Sequence, residues 1–286
     1  MTIGYIDSVK GGIISLVFFS CLAFFVQGQG NAEDIKLILT VTTFLFAILA
    51  GFFIARAGSR FNEIRNAVSK EDALFLSFYK TAQVQGEKFS EKIRSLMDKY
   101  YIISYDNWLA TYGDTGYKRT LPCFLQIWDE VISLKPKAPH AYERLLDTLT
   151  DLEDSRNIAS SIAKEVVNRG QWILLSMLSI IILFCLFSLK TNDVFSMTIT
   201  VLLSSALIII LLLLRDLQNL RFGGEEELLV ESGQEVFESI GLLRYYNNNH
   251  FQKTHYVIPE NIKEFRLGFH NQGEKLNIKV IKNNPK

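Results

Sequence analysis

The sequence is poor in the residues from which disulfides, metal sites and catalytic centres are built. It holds three cysteines and four histidines, and neither type recurs at the spacing of a bonded pair or of a zinc site. Basic and acidic side chains number 30 each, so no large field of one sign favours nucleic acid as a partner. We therefore expect no catalytic residues and no metal site of this kind, and an enzyme is the least favoured class.

Charge is absent from four long stretches of the chain. Each stretch is about 20 residues long, which is enough for a helix to cross a hydrocarbon core of about 30 Å. The uncharged stretches predict membrane spans at about 11–30, 37–55, 171–189 and 194–214. The apolar part of the first stretch, Ile13 to Val26, could instead belong to a signal peptide. We favour a span because the preceding residues are barely basic and the following residues form a poor cleavage site.

The topology is predicted from two short polar links and from the placement of basic residues. Glu33 to Lys36 joins the first two spans and Lys190 to Asp193 joins the last two, so both hairpins turn at one face. The basic residues near the opposite face are Lys10, Arg56, Arg60, Arg65, Lys164, Arg169, Arg215 and Arg221. By the positive-inside rule that face is cytoplasmic. The sequence thus predicts a multi-pass protein of the cell membrane with both termini in the cytosol.

The spans divide the chain into four predicted parts. These are a transmembrane hairpin at 1–56, a cytosolic helical region at 57–170, a second hairpin at 171–215, and a cytosolic C-terminal helix and tail at 216–286. Apolar periodicity and start signals predict further helices at 61–78, 89–103, from about 120, at 139–168 and at 225–246, with a short strand at 276–280. The predicted fold class is all-α, a four-transmembrane-helix membrane protein with a helical cytosolic insert.

Two lines of residues give the second span a candidate function. Ala47, Gly51 and Ala55, here called the small-residue stripe, would let another helix approach closely. Phe44, Ile48 and Phe52, the neck stripe, lie beside it at the same spacing. If the small-residue stripe packs, the neck stripe could face a shared axis and form a hydrophobic constriction that gates by dewetting. The alternative is ordinary apolar sequence, because any apolar helix contains such triplets by default.

The segments that flank the spans resemble a known family. The segment from Arg215 to Glu227 follows the fourth span, Arg60-Phe61-Asn62-Glu63 follows the second, and Tyr105-Asp106-Asn107-Trp108 lies in the insert. With this order of spans, roughly residues 1–245 resemble the bestrophin-like membrane family. The resemblance implies a pentameric channel for inorganic anions such as chloride, whose three apolar neck rings correspond to Phe44, Ile48 and Phe52. This chain has Leu220 and Arg221 where the family has proline, and it lacks the family's continuous aspartate run.

Three acids after the fourth span are the candidate cation site of the chain. Glu225, Glu226 and Glu227 could contribute to a calcium clasp, which needs six or more oxygen ligands. They could also simply interact with the dipole at the start of a helix. We favour the dipole because the aspartate run is missing, so calcium is the only cofactor left open.

The sequence therefore favours an oligomeric, anion-permeable ion channel embedded in membrane lipid, with a hydrophobic neck on its second span. A different class, a non-conducting membrane scaffold or sensor, stays open as the alternative. In that case the cytosolic insert would recruit a partner protein. The oligomeric state separates the two, because a closed ring of subunits favours a pore.

Overall fold

The computed structural model describes residues 8–28, 33–107, 116–134, 138–165, 167–219, 228–248, 258–259, 261–270 and 274–283. The helices in these ranges are α1 (Ser8–Phe25), α2 (Glu33–Gln85), α3 (Glu87–Asn107), α4 (Gly116–Ile132), α5 (Pro139–Lys164), α6 (Arg169–Leu189), α7 (Val194–Gln218) and α8 (Leu228–Ser239). The strands are β1 (Tyr245–Asn247), β2 (Glu264–Gly268) and β3 (Ile278–Lys282). The chain is mainly helical, as predicted, and it carries a small sheet that the all-α prediction did not include.

Four stretches of helix are long and apolar enough to cross a membrane, which confirms the predicted number of spans. They lie in α1, α2, α6 and α7. The first is shorter than predicted, because α1 ends at Phe25 and Val26 to Gly28 are irregular. The second is part of a much longer helix: α2 has 53 residues and continues past the apolar span, which lies between Lys36 and Arg56, as far as Gln85.

The chain divides into two compact units. The membrane unit covers Met1–Ser59 and Val166–Arg221, and the polar unit covers Arg60–Glu165 and Phe222–Lys286. Each unit is therefore assembled from two separate parts of the sequence. The boundary near residue 59 falls inside the unbroken helix α2.

In the membrane unit, α1 and α6 both pack against α7. Small residues on one side of α1 are buried, among them Gly11, Gly12 and Ser15. A Cβ atom added to Gly12 would come within 2.9 Å of the Ile209 side chain on α7, so only glycine fits there without a shift of that side chain. Such small residues let helix backbones approach closely where lipid offers no hydrophobic driving force.

Asp216 of α7 and Lys190, which directly follows α6, hold the two ends of α1. At its N-terminus, the Ser8 backbone N–H donates to the Asp216 carboxylate at 2.6 Å. At its C-terminus, the buried Lys190 donates through Nζ to the Ala23 carbonyl oxygen at 2.5 Å. An acid near the N-terminus and a base near the C-terminus of a helix are the favourable arrangement for its dipole. The first apolar stretch is thus tied into the membrane unit at both ends.

Helices α5 and α6 are separate, although a helix from Pro139 to Asn168 was predicted and could have run on into the third span. Helix α5 ends at Lys164, and Glu165 has an extended backbone. Asn168 then starts α6 through a capping box: its side chain accepts from the Gln171 N–H, and the Gln171 side chain accepts from the Asn168 N–H. The capping box satisfies two backbone N–H groups at the start of α6. The capped start explains why a new helix begins here instead of a continuation of α5.

The polar unit is built around an aromatic and aliphatic core contributed by α2, α3, α4, α5 and α8. Its fully buried members include Phe75, Phe78, Ile93, Met97, Phe124, Ile127, Leu145, Leu149 and Phe237. Helix α4 begins at Gly116, before the predicted start at Thr120, and Pro122 lies inside it. Thr120 is therefore not an N-cap. Its buried hydroxyl accepts a hydrogen bond from Arg156 of α5 at 3.2 Å instead.

The predicted helix from Glu225 to Tyr246 is shorter in the structure and gives way to a strand. Helix α8 ends at Ser239, and Gly241 has φ of 78°, a conformation that glycine adopts without strain. The Leu242 N–H donates to the Phe237 carbonyl at 2.8 Å, the bond that closes this type of helix end. Strand β1 follows and pairs in parallel with β2, which pairs in antiparallel with β3. The strand predicted at 276–280 corresponds to β3.

Asp106, near the end of α3, anchors this sheet. Its carboxylate accepts from the Tyr245 hydroxyl at 2.6 Å and from the Asn247 amide at 2.8 Å. His270 Nε2 is 2.8 Å from the second carboxylate oxygen, and His270 Nδ1 accepts from the Asn277 N–H. One carboxylate thus contacts side chains of β1 and of His270, which follows β2.

Candidate pore-facing surface of the second span

The packed side of the second span consists of residues that the sequence analysis did not single out. Phe46, Ala50 and Phe53 are each 4 % exposed. They contact leucine and isoleucine side chains of α6 and α7, including the fully buried Leu175 and Leu214. This contact fixes which side of α2 faces the rest of the membrane unit.

The neck stripe lies on the opposite side of the helix. Phe44, Ile48 and Phe52 are 65 %, 53 % and 59 % exposed. At 100° per residue, Ile48 is rotated about 160° from both Phe46 and Ala50. The three side chains therefore form a continuous apolar line that this chain leaves uncovered along the depth of the span.

The small-residue stripe is also uncovered. Ala47, Gly51 and Ala55 are exposed, and a Cβ atom added to Gly51 would meet no neighbouring atom within 4 Å in the described part of the chain. The close contacts of this span within the chain are made by Phe46, Ala50 and Phe53 instead. Packing of the small-residue stripe against a second copy of the chain stays a prediction.

Five hydroxyls of the spans donate to carbonyl oxygens of their own helix, and these donors are not free to bind an ion. The Ser20, Thr40, Ser179 and Thr198 hydroxyls each donate to the carbonyl oxygen four residues earlier, and Ser15 donates to the carbonyl three residues earlier. Ser204 and Ser205 differ, because their buried oxygens have no hydrogen-bond partner within the described ranges. Donation from a serine or threonine hydroxyl to a carbonyl oxygen of the preceding turn is common in apolar helices.

Glu225, Glu226 and Glu227 lie outside the described residues, so both interpretations of them stay predictions. In the sequence they directly precede Leu228, the first residue of α8. Among the residues that the structure does describe, no group of three or more His, Cys, Asp or Glu side chains is arranged to hold a metal ion.

Arg60, one of the residues that carried the family resemblance, has a defined structural partner. Its Nε and Nη2 atoms donate to the carbonyl oxygens of Ile162 and Ala163 at 3.0 and 2.5 Å. These carbonyls belong to the last turn of α5, where a basic side chain can bond the last carbonyl oxygens of a helix, and the Ile162 oxygen also accepts from the Glu165 N–H at 3.0 Å. Burial lowers the pKa of Arg60, and the nearby Glu165 opposes that shift.

A buried polar cluster in the polar unit escaped the sequence analysis. Glu71 and Asp72, adjacent on α2, are 6 % and 5 % exposed. The Tyr100 hydroxyl donates to Glu71, and the Tyr101 hydroxyl donates to Asp72 at 2.7 Å. A Glu-Asp pair on a long helix is typical of a solvated surface, so only the pair of tyrosines on α3 could have signalled burial.

Comparisons with known proteins agree with the resemblance found in the sequence. The model of the Bestrophin-like domain matches residues 14–225. A bacterial bestrophin homologue from Klebsiella pneumoniae, solved by zinc SAD phasing, superposes with a TM-score of 0.60 at 12 % identity, covering 82 % of this chain and 98 % of that one. A point variant of a bacterial bestrophin homologue from the same organism gives 0.59 at 12 % identity, with 82 % and 99 % covered. A search of curated proteins gives no significant match.

Proposed function

The chain belongs to the bestrophin-like family, and on that premise we propose that it is an oligomeric, anion-permeable channel whose pore narrows at the neck stripe. Family membership and the four membrane-spanning helices together support a membrane channel in general. Anion preference, the ring of subunits and the position of the neck are the parts that this proposal adds. A pentamer is the assembly that the family resemblance implies.

The observation that carries the proposal is the uncovered line Phe44, Ile48 and Phe52. All three side chains are more than half exposed, whereas Phe46 and Phe53 on the same helix are buried. If copies of the chain surround an axis, rings of phenylalanine and isoleucine would exclude water from its narrowest part. An ion crossing such a ring loses hydration with little in return, which is how a hydrophobic constriction gates.

The small-residue stripe supports the same assembly. Ala47, Gly51 and Ala55 lie about 60° around the helix from the neck stripe. If a neighbouring subunit packs against the small-residue stripe, the neck stripe beside it would be directed toward the axis. Lipid does not favour such packing hydrophobically, so close backbone approach at small residues supplies the attraction.

Currents through purified protein in planar bilayers test the neck. Replacing Phe44, Ile48 and Phe52 together by alanine should widen and wet the path, so currents should rise or lose their gating. Reversal potentials in a chloride gradient would report whether anions carry the current.

The matched control enlarges the side chains of the small-residue stripe. Ala47→Leu, Gly51→Leu and Ala55→Leu should disrupt helix contact and oligomer assembly rather than conduction through an intact pore. Silence of both the wild type and the triple alanine variant, with both shown to be assembled and reconstituted, would reject the pore. A non-conducting scaffold that recruits a cytosolic partner would then be the better description.

A further inference from the structure

The two buried acids of α2 both accept from a tyrosine hydroxyl, and they differ in the charged groups that surround that contact. The Tyr100 hydroxyl, which donates to Glu71, itself accepts from the guanidinium of Arg156. That guanidinium also lies 4.4 Å from the centre of the Phe124 ring and 5.0 Å from that of Tyr100. Glu71 is therefore linked to a positive charge through two hydrogen bonds that share the Tyr100 hydroxyl, and two aromatic rings hold that charge in place.

Asp72 is served by neutral hydroxyls. Its Oδ1 accepts from Tyr101 of α3 at 2.7 Å, and its Oδ2 accepts from Ser232 of α8 at 2.5 Å. The charged groups that act on it are Glu71 beside it on α2 and Glu235 on α8, both of them acids. A carboxylate at this place is both buried and repelled by its neighbours.

These surroundings favour the neutral form of Asp72. Burial, more than the two neighbouring acids, raises its pKa to about 7, although the Ser232 and Tyr101 hydrogen bonds pull in the opposite direction. Burial also raises the pKa of Tyr101 well above its ordinary value, so that hydroxyl stays a donor. Asp72 lies on α2 beyond Arg56, outside the apolar span of that helix.

Helix α8 is the element whose attachment depends on this carboxyl. Ser232 is its direct contact with Asp72, and the next residue, Gly233, is buried so close to α3 that an added Cβ atom would collide with the Tyr105 hydroxyl. Docking of α8 therefore contributes to the exclusion of water from Asp72. Separation of α8 would hydrate the carboxyl and remove the repulsion from Glu235.

We propose that Asp72 is a proton-controlled latch, which holds α8 against α2 and α3 while it is protonated and loosens that attachment when it loses its proton. A neutral carboxyl keeps both contacts, because its carbonyl oxygen accepts from Tyr101 and its O–H donates to the Ser232 oxygen. An ionised carboxyl keeps the hydrogen bonds, but it is a buried charge whose charged neighbours in the described part of the chain, Glu71 and Glu235, are both acids. The latch does not depend on whether the chain conducts ions.

The direction of the pH effect follows from linkage. A carboxyl whose pKa is higher in the docked state stabilises docking fully below the pKa of a hydrated carboxyl, about 4, and loses that contribution as the pH rises through about 7. Between pH 6 and pH 8 the docking equilibrium of α8 should weaken about tenfold. The effect is local, because the carboxyl that titrates touches α8 through one serine.

Hydrogen–deuterium exchange of the whole purified protein tests the latch. After correction for the intrinsic pH dependence of amide exchange, protection of the α8 amides, residues 228–239, should fall about tenfold from pH 6 to pH 8. The α4 amides, residues 116–132, are the internal control and should change little. Asp72→Asn, which mimics the neutral carboxyl, should make α8 protection independent of pH. Unchanged α8 protection in the wild type across this range would overturn the proposal.

Two further variants keep the test decisive if Asp72→Asn does not fold. Glu235→Gln removes an exposed acid that repels the carboxylate, so the midpoint of the pH dependence should move to lower pH. Ser232→Ala removes a hydrogen bond that favours the carboxylate, so the midpoint should move to higher pH. A purely structural role for these residues would change the protection of α8 without moving the midpoint, and that result would also reject the latch.

Discussion

Phe52 and Phe53 are adjacent in the second span but have opposite surroundings. Phe52 is 59 % exposed, whereas Phe53 is 4 % exposed and packs against α6 and α7. Their rings contact each other edge to face, with centroids 5.7 Å apart. The pair therefore offers one large side chain that stabilises the membrane unit beside another that is free for a different role.

Truncating each phenylalanine in turn separates these roles. Phe53→Ala should lower the free energy of unfolding by about 3 kcal/mol, because it leaves a cavity among the leucines of α6 and α7. Phe52→Ala should cost less than about 1 kcal/mol, since Phe52 is mostly exposed and loses little packing beyond its contact with the Phe53 ring. Thermal unfolding in detergent, followed by tryptophan fluorescence, measures both. Equal losses would mean that assembly covers Phe52 as fully as the chain covers Phe53.

The glutamates after the fourth span carry a second prediction at the residue scale. If Glu225, Glu226 and Glu227 act on the start of α8 through its dipole, replacing each by glutamine should lower the free energy of unfolding by less than about 1 kcal/mol. The loss should be larger at low salt, because salt screens the dipole. Isothermal calorimetry should then show no micromolar calcium binding. Micromolar binding to the wild type that disappears in the triple glutamine variant would contradict the dipole and favour a calcium clasp.

Only part of the candidate pore-facing surface could be predicted from the sequence. The spacing of Phe44, Ile48 and Phe52 identified a line on α2, but the sequence around it is apolar on every side. Periodicity therefore could not show that Phe46, Ala50 and Phe53 are the packed side. That assignment needs the partner helices, which lie more than a hundred residues away in the chain.

At the scale of elements, the two ends of α1 show how charged side chains can join helices whose spans carry no charge. The helix has no acid in its first turn and no base in its last turn. Asp216 of α7 and Lys190, which directly follows α6, take those places. Gly28, just after α1, lies so close to the end of α6 that an added Cβ atom would collide with the Lys190 carbonyl oxygen. The first hairpin is thus fixed to the second at a charged point as well as by packing.

Removing the charge at one end of α1 should loosen this junction. Lys190→Met keeps the apolar stem but loses the bond to the Ala23 carbonyl, so the free energy of unfolding should fall by about 1–2 kcal/mol. Lys36→Met is the matched control, because Lys36 is exposed at the start of the next span. A thermal midpoint lowered equally by both substitutions would show that general loss of positive charge, rather than the bond to α1, is responsible.

Helix boundaries were predicted well where polar sequence changes abruptly to apolar sequence, and they were predicted poorly elsewhere. The third span starts near the predicted residue, since Asn168 and Gln171 form a capping box directly before the uncharged stretch. The end of α8 was missed, because Gly241 interrupts apolar residues that keep a helical spacing on both sides. The continuity of α2 was missed as well. The change from apolar to charged sequence at Arg56 marks where the lipid-compatible sequence ends, and the helix continues beyond it.

At the scale of the whole molecule, the number of spans and the family followed from the sequence, and the pairing of distant segments did not. Each compact unit joins two parts of the chain, and the Asp72–Ser232 contact bridges positions that no local pattern relates. Hydrophobic length is a local property that a sequence displays directly. Burial of an acid by a helix far along the chain is a tertiary property, and it becomes visible only once both partners are placed.

Orientation in the membrane is the remaining prediction at this scale. Basic residues flank the spans on the side of the termini and of the insert, whereas the two short hairpin links are not especially basic, so the insert should be cytoplasmic. Single cysteines at Asn31, Gly113 or Asn192, in a chain without its three native cysteines, can be labelled with an impermeant thiol reagent on intact cells. Asn31→Cys and Asn192→Cys should react from outside, and Gly113→Cys should react only after the membrane is opened. Labelling of Gly113→Cys from outside, with the hairpin links protected, would show that the chain inserts in the opposite orientation.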